Sequence, residues 1–241
     1  MLNRAYGTWL LGGAILLATV PFLQGDTAAG TRAYERKDYA TAYREWLQAA
    51  NEGHAEAQYN LGMLYLKGLG VASNAQEAFR WLRVAAEQGQ VDAEYRVGLM
   101  REKGVGSRQD YADAQSWFLL AAQHGDSEAE AELGELYDEG RGVKKDLVRA
   151  VYWYEKAAEQ GLPEAQAHLG ACYLAGKGVT KDPVKAYFWL TLAWKQRDKS
   201  AEKQRSEVAL RLSKEEIAKT ELSVAEWKPK PAQMQAPANV H

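Results

Sequence analysis

The sequence holds few of the residue types from which most metal and catalytic sites are built. Its 241 residues include one cysteine and four histidines, and no two histidines have the spacing of a metal-ligand pair. The single cysteine, Cys172, has no internal partner for a disulfide, and its place in a helical segment favours a buried, unreactive thiol. We therefore predict no metal site, no cofactor and no catalytic residue.

An excess of charge of one sign is also absent. Lysine and arginine number 30 against 32 aspartates and glutamates, which gives a net charge of −2. The basic residues are dispersed along the chain, whereas a nucleic-acid-binding domain concentrates them in a patch or stripe. Nucleic acid is therefore excluded as a partner.

Long apolar runs are missing except at the N-terminus. An uncharged run from Thr8 to Leu23 follows Arg4, as in a secretory signal, and it is short for a spanning helix, which needs about 20 apolar residues. We expect residues 1–29 to be a signal peptide cleaved near Gly30, with an uncleaved N-terminal membrane anchor as the alternative. The mature chain would be exported to the periplasm, or anchored in the inner membrane facing the periplasm, with no other membrane contact.

Glycine, by contrast, recurs at a fixed interval. Four units of 36 residues follow one another without insertion, each opened by a glycine: residues 53–88, 89–124, 125–160 and 161–196. A fixed period of this length indicates a solenoid of identical supersecondary units that share their apolar surfaces.

Within each unit the spacing of residues predicts two helices joined by a turn. Positions 4, 8 and 12 after the opening glycine lie on one helical face, and a glycine at position 9 is expected to let the two helices approach closely. Paired glycines end the first helix, and an N-cap residue begins the second: Asn74, Asp110, Asp146 or Asp182. Tryptophan marks position 28: Trp81, Trp117, Trp153 and Trp189. The predicted fold class is all-α.

Shorter segments are predicted to cap the array. Residues 30–52 match the second half of a repeat, with Trp46 in the place of Leu82, and form an N-terminal capping half-repeat. Residues 197–227 lack the glycines and are predicted to be C-terminal capping helices, the last opened by a capping box at Ser213 and Glu216. Residues 228–241, rich in proline, alanine and glutamine, are predicted to be a disordered tail.

The run A-E-A-x-x-x-L-G-x-x-Y, a G-x-G-V turn and then A-x-x-W-x-x-x-A-A-E-x-G resembles the Sel-1-like repeat, a relative of the tetratricopeptide repeat found in bacterial exported proteins. The resemblance implies a right-handed α-solenoid of four full repeats. It also implies a non-enzymatic scaffold or adaptor of the bacterial cell envelope that binds another protein, since family relatives serve polysaccharide export, motor assembly and envelope regulation.

The alternative is a hydrolase or binding protein for β-lactams or peptidoglycan, as suggested for the cysteine-rich branch of the family. Ser200 and Lys203 form an isolated S-x-x-K, but the companion motifs of serine acylases are missing. The chain also lacks the two cysteines per repeat of that branch. Chance is therefore the better account of this motif.

Partner binding is predicted on the concave surface, at first-helix positions opposite the apolar stripe. In the first two repeats these positions form a partly aromatic strip, expected to grip apolar side chains: Tyr59, Asn60, Met63, Leu66, Tyr95, Arg96 and Leu99. In the third they are carboxylates, expected to attract a basic segment: Glu128, Glu132, Glu135, Asp138 and Glu139. The fourth contributes His168. The tetratricopeptide resemblance singles out Asn60 as a ligand-holding residue. In the alternative interpretation the carboxylates are a solvated face and the tyrosines cover a neighbouring repeat.

Overall fold

Helices joined by short turns make up the chain from residue 26 to residue 232, the part that the computed structural model describes. No strand occurs in this part of the chain. Its twelve helices are α1 (Thr27–Glu35), α2 (Tyr39–Asn51), α3 (Ala55–Lys67), α4 (Ala75–Ala86), α5 (Val91–Lys103), α6 (Tyr111–Gln123), α7 (Ser127–Glu139), α8 (Leu147–Glu159), α9 (Pro163–Ala175), α10 (Pro183–Lys195), α11 (Lys199–Ala209) and α12 (Lys214–Glu226).

Each repeat is a helix pair, and consecutive pairs stack on one another. The first helix of a repeat packs against the second, as α3 does against α4, and the second packs against the first helix of the next repeat, as α4 does against α5. The same alternation continues to α10. This arrangement is the all-α solenoid predicted from the 36-residue period.

The helix ends lie where the local chemistry predicts them. The Asn74 side chain accepts hydrogen bonds from the backbone N–H groups of Gln76 and Glu77 and so begins α4, and the equivalent aspartates begin α6, α8 and α10 in the same way. Gly68 follows α3 in the left-handed conformation, with φ of 66°, which glycine adopts without steric cost. The predicted capping box of Ser213 and Glu216 opens α12.

The glycine at position 9 of each repeat makes room for a side chain of the second helix. In the first and fourth repeats the backbone of that helix also comes close, as we expected: a Cβ atom on Gly62 would lie 3.3 Å from Ala78 O, and one on Gly170 would lie 3.2 Å from Leu190 N. A Cβ atom added to Gly62 would lie 2.7 Å from Cγ of Leu82, so the glycine provides room for that side chain. The same pairs form in the other repeats: Gly98 with Phe118, Gly134 with Tyr154 and Gly170 with Leu190. These second-helix residues, at position 29, are buried more deeply than the tryptophans at position 28.

A buried polar residue recurs at position 5 of each repeat and is bonded to the last residue of the same repeat. The pairs are Gln58 with Gln88, Glu94 with His124, Glu130 with Gln160 and Gln166 with Gln196, joined over 2.6 to 2.9 Å. The amides of Gln58 and Gln166 also donate to carbonyl groups of the preceding second helix, Ala50 O and Ala158 O. These bonds tie the two ends of each helix pair together.

A full helix pair precedes the first repeat. Gly30 of α1 is buried against the indole of Trp46 on α2, and Trp46 Nε1 donates to the carbonyl of Thr27 over 3.1 Å. The segment expected to be a half-repeat therefore belongs to a two-helix unit, and the boundary placed between residues 29 and 30 falls inside α1. The expected signal segment lies mostly outside the described residues. Between residues 26 and 232, no helix has the length and hydropathy to cross a membrane.

At the other end, α11 and α12 pack against α10, and the ring of Trp227 lies 6.4 Å from that of Trp189. The five residues that follow, 228–232, run back along the solenoid as an extended segment that we call the strap. Lys230 N–H donates to Glu159 O over 2.8 Å. The expectation of disorder from residue 228 onward therefore does not hold for the strap, while residues 233–241 lie outside the described part of the chain.

Candidate partner-binding face

The predicted binding residues lie on the first helices of the repeats, on a surface that we call the first-helix face. Side chains of adjacent first helices approach one another along it. Burial raises the pKa of Tyr59 on α3, and the charges of Asp92 and Arg96 on α5 also act on that pKa. Between α7 and α9, His168 Nε2 lies 3.7 Å from Glu135 Oε1. The charge of Glu132 on α7 acts on the pKa of Tyr95 on α5, so the face is continuous from the first repeat to the fourth.

At the N-terminal end of this face Tyr59, Asn60 and Met63 line a cavity of about 230 Å³. The remaining wall comes mainly from the N-terminal unit, with Tyr34 and Trp46 beside it. These two aromatic rings lie 5.5 Å apart. The cavity also has polar walls, which are formed by Thr31, Glu56 and Lys67. Leu66 is not among the lining residues; it packs on the core between the first two repeats.

Besides Glu56 and Lys67, the cavity has uncharged polar groups on Tyr59 and Asn60 that suit a peptide. Burial raises the pKa of Tyr59, so its hydroxyl stays protonated near neutral pH and can donate a hydrogen bond. The side-chain amide of Asn60 has no hydrogen-bond partner among residues 26–232. A peptide backbone would satisfy both groups, because it offers donors and acceptors at short intervals.

In the second repeat the predicted residues are partly structural. Tyr95 and Leu99 pack on the core between the second and third repeats, and the Tyr95 ring lies 6.0 Å from that of Phe118. The guanidinium of Arg96 lies 5.7 Å from the Tyr95 ring centroid, a cation–π distance. Tyr95 and Leu99 therefore contribute to the packing of the third repeat on the second, which is the role that the alternative interpretation gives to the tyrosines.

Most of the acidic strip in the third repeat is paired within the protein. Arg141, in the turn after α7, lies 3.0 Å from Glu135 Oε2 and 2.8 Å from Glu139 Oε2; the second contact is ionic, since the Nε–H is not aimed at that oxygen. Arg141 also pairs with the buried Glu102. Lys145 lies 3.8 Å from Asp138. Two basic residues of the turn therefore pair with three of the five carboxylates that were expected to attract a basic segment.

Glu132 and Glu128 have no basic partner within hydrogen-bond distance among the described residues. Glu128 accepts only a hydrogen bond from Ser127 Oγ, over 3.3 Å. Burial, together with the nearby charges of Glu102 and Glu135, raises the pKa of Glu132 to about 7. A cation beside Glu132 would lower the pKa of this carboxyl group again, because it stabilises the charged form, and the carboxylate would bind the cation. Glu132 is thus the acidic position best suited to a basic ligand.

His168 lies at the meeting point of the third and fourth repeats. Its ring stacks on that of Tyr154, with centroids 4.8 Å apart and planes at 7°. One ligand atom from each of Glu135, Glu164 and His168 falls within 4.8 Å of the other two. We predicted no metal site, and helical spacing within α9 does not bring Glu135 of α7 to Glu164 and His168; Glu135 already has Arg141 as its cationic partner.

The isolated S-x-x-K and the single cysteine have other local roles. Ser200 Oγ donates to Asp198 Oδ1 over 2.6 Å at the start of α11, and Lys203 Nζ lies 4.0 Å from Glu207. Cys172 is 7% exposed, and burial raises the pKa of its thiol to about 11. The predicted buried thiol is therefore confirmed, and it is protonated at neutral pH, when a thiol is a poor nucleophile.

The sequence analysis did not identify two groups of residues that contribute to this candidate face. Tyr34 and Thr31 lie on α1, which the sequence analysis did not predict to be the first helix of a pair, and no spacing rule brings them to the cavity. Arg141 could have been identified from the sequence, because it lies between two turn glycines, where the first two repeats have the apolar residues Leu69 and Val105. A basic residue there is placed to reach the end of the first helix.

The model of the Sel1 repeat family matches four consecutive stretches of the chain, residues 55–90, 91–126, 127–162 and 163–198. Together they span 144 residues, from 55 to 198, of the 241. The matched units have the same 36-residue period as the glycine pattern, displaced by two residues. No similar sequence is found among curated proteins.

Two solved structures are similar to this one. One is c5321, a protective antigen present in uropathogenic Escherichia coli strains that displays an SLR fold; it has a TM-score of 0.75 and 29% identity, covering 83% of this chain and 45% of that chain. The other is a Sel1 repeat protein from Oxalobacter formigenes, with a TM-score of 0.65 and 37% identity over 71% of this chain and 49% of that chain. The chain thus spans about half the length of these relatives. With four matched repeats over more than half of its length, the chain belongs to the Sel1 repeat family.

Proposed function

We propose that the protein is a non-enzymatic scaffold or adaptor of the bacterial cell envelope, which holds a segment of another protein on its first-helix face. Proteins of this family are typically interaction scaffolds. The observation that carries the proposal is the cavity beside Tyr59, Asn60 and Met63, because it joins aromatic walls to an unpaired amide.

The cavity serves as the anchor site in this proposal. An engineered cavity of about 150 Å³ takes up benzene, so a cavity of about 230 Å³ accommodates one aromatic or large aliphatic side chain. Aromatic residues at the centre of an interface contribute most of its binding energy. Asn60 is placed to hold the backbone of the same segment, which fixes its direction along the face.

In this proposal two acidic residues of the third repeat bind the other end of the partner segment. Glu132 and Glu128 lie two repeats away from the cavity on the same face and lack basic partners in the described part of the chain. A lysine or arginine of the ligand would pair with Glu132, whose raised pKa reflects unfavourable burial of its charge. The ligand we propose therefore carries an apolar anchor at one end and a basic residue at the other.

Placement in the envelope rests on the apolar run from Thr8 to Leu23. Such a run directs a chain to the export machinery. A scaffold of this kind needs no cofactor, and we propose that the protein acts by contact alone, in the periplasm or on the periplasmic side of the inner membrane.

Affinity capture from an envelope extract tests the proposal. Three baits are compared. The first is the exported chain, and the second is the face variant, which carries both Tyr59→Ala and Glu132→Lys. The third is a control with the same chemical changes on α8, Tyr152→Ala and Glu155→Lys. Circular dichroism must first show equal helix content. A protein retained by the parent and the control but lost from the face variant supports the proposal. Binding on the first-helix face is refuted if every protein that the parent retains is retained equally by all three baits.

A further inference from the structure

The strap occupies a site on the edge of the solenoid that the first-helix face does not include. Lys230 donates its backbone N–H to Glu159 O over 2.8 Å, and its Nζ lies 2.6 Å from Glu159 Oε1. Lys230 and Pro231 complete the wall of a cavity of about 360 Å³ with residues of α7 and α8. One residue, Glu159, thus binds Lys230 twice: its backbone carbonyl accepts from the lysine N–H, and its carboxylate pairs with the lysine Nζ.

Two repeat-opening glycines make room for the strap. A Cβ atom added to Gly161 would lie 3.2 Å from Pro229 Cβ, and one added to Gly125 would lie 2.8 Å from Ala232 Cβ. Three residues therefore carry the strap from one repeat to the next. The extended strap therefore stays in register with the repeats over these two positions.

The first repeat contains an equivalent of this site two repeats earlier in the chain. Shifting by 72 residues replaces Gly161, Glu159 and Gly125 with Gly89, Glu87 and Gly53. The turn bonds are the same: Gly161 N–H donates to Ala158 O, and Gly89 N–H donates to Ala86 O. The bond between Gln160 and Glu130 has its counterpart between Gln88 and Gln58.

Nothing in the described part of the chain covers this second copy. Apart from chain neighbours, no heavy atom among residues 26–232 lies within 4 Å of a Cβ position on Gly53 or Gly89. Glu87 pairs with Arg83 at 3.3 Å, with both side chains 53% exposed, and such surface pairs exchange readily. The second and fourth repeats cannot repeat the site, because they have Gln123 and Lys195 at the position of Glu87.

We propose that Glu87, Gly89 and Gly53 form a second binding site, which takes an extended segment of a partner protein with the pattern Pro-Lys-Pro-Ala. The first proline lies on Gly89, the lysine pairs with Glu87, and the alanine lies on Gly53. The partner is another protein and not a second copy, because the strap of each copy is held in its own chain at high effective concentration. The site is independent of the proposed function of the first-helix face.

The test uses a fluorescein-labelled peptide with the strap sequence, KPKPA, titrated with the whole chain and followed by fluorescence anisotropy. We expect Glu87→Lys to weaken binding at least tenfold. Glu35→Lys, the same change on α1, and Glu159→Lys, at the strap, should leave the affinity within twofold. The charge-reversed peptide KPEPA, in which glutamate replaces the central lysine, should bind the Glu87→Lys variant more tightly than it binds the parent.

Three results would overturn the inference. The first is no saturable binding of KPKPA, and the second is binding that Glu159→Lys abolishes and Glu87→Lys does not, which would place the peptide in the strap's own site. The third is a dimer of the chain alone, seen by analytical ultracentrifugation and removed by Glu87→Lys, which would make a second copy the occupant.

Discussion

Gln160 Nε2 donates a hydrogen bond to Glu130 Oε2 over 2.8 Å, and the acceptor residue, Glu130, is only 3% exposed. The equivalent residues in the first and fourth repeats are glutamines, Gln58 and Gln166, whose amides donate to a carbonyl of the preceding helix. An ionised glutamate cannot donate. Burial accordingly raises the pKa of Glu130 to about 7, with the bond from Gln160 opposing the shift.

The first prediction concerns stability and pH. Because the pKa of Glu130 is raised in the folded state, its contribution to stability is complete below its unfolded pKa and is lost as the pH rises through about 7. Glu130→Gln should therefore stabilise the protein at pH 8, by about 2–3 kcal/mol at most, and have little effect at pH 5. Urea unfolding at the two pH values measures the difference.

The control for this experiment is Glu128→Gln, which removes an exposed carboxylate of the same helix. It should change the free energy of unfolding by less than about 0.5 kcal/mol at either pH. Glu130→Gln that is neutral or destabilising at pH 8 would show that the buried carboxyl is well accommodated in its charged form.

The second prediction concerns the tight contact between repeats. A Cβ atom on Gly106 would overlap the backbone carbonyl of Ala75 at the start of α4, whereas one on Gly89 would meet open space among the described residues. Both glycines have positive φ, 68° and 81°, which costs an alanine about 1–2 kcal/mol. Gly106→Ala should therefore destabilise the protein by clearly more than Gly89→Ala, by about 3 kcal/mol or more in total. Equal losses in urea unfolding would mean that the contact relaxes without cost.

The third prediction concerns the N-terminal boundary. A chain that begins at Gly30 lacks the Thr27 carbonyl to which Trp46 Nε1 donates, together with the first turn of α1. It should be less stable than a chain that begins at Asp26 by about 1–2 kcal/mol. Trp46→Phe should cost the longer chain more than the shorter one. If the two chains unfold at the same urea concentration, the first turn of α1 adds nothing, and cleavage near Gly30 is compatible with the structure.

The helices and their ends were predictable because local chemistry determines them. The 36-residue period, the N-cap of Asn74 and the left-handed Gly68 involve residues a few positions apart, and each appears in the structure as predicted. The family match follows from the same pattern. The packing of the position-29 side chains on the glycines was not predictable. These residues differ in type and have only their large size in common: Leu82, Phe118, Tyr154 and Leu190.

The details of the candidate face depend on contacts between distant residues. Arg141 and Glu102 are 39 residues apart, and no helical spacing brings them together. Lys230 and Glu159 are 71 apart, and a tail rich in proline gave no reason to expect its docking. In both cases a basic side chain pairs with a carboxylate across a repeat boundary. Such pairs cannot be read from sequence spacing, because they depend on how the helix pairs stack.

The measurement that tests the central claim most directly is site-specific photo-crosslinking in a bacterium that exports the chain. A benzophenone side chain replaces Tyr59 in the cavity of the first-helix face, and in a matched strain it replaces Val148, which is 67% exposed on α8. We predict an adduct with another protein from position 59 that Glu132→Lys reduces at least fivefold, and no such adduct from position 148. An adduct formed equally from both positions, or one from position 59 that Glu132→Lys leaves unchanged, would contradict binding of a basic segment along this face.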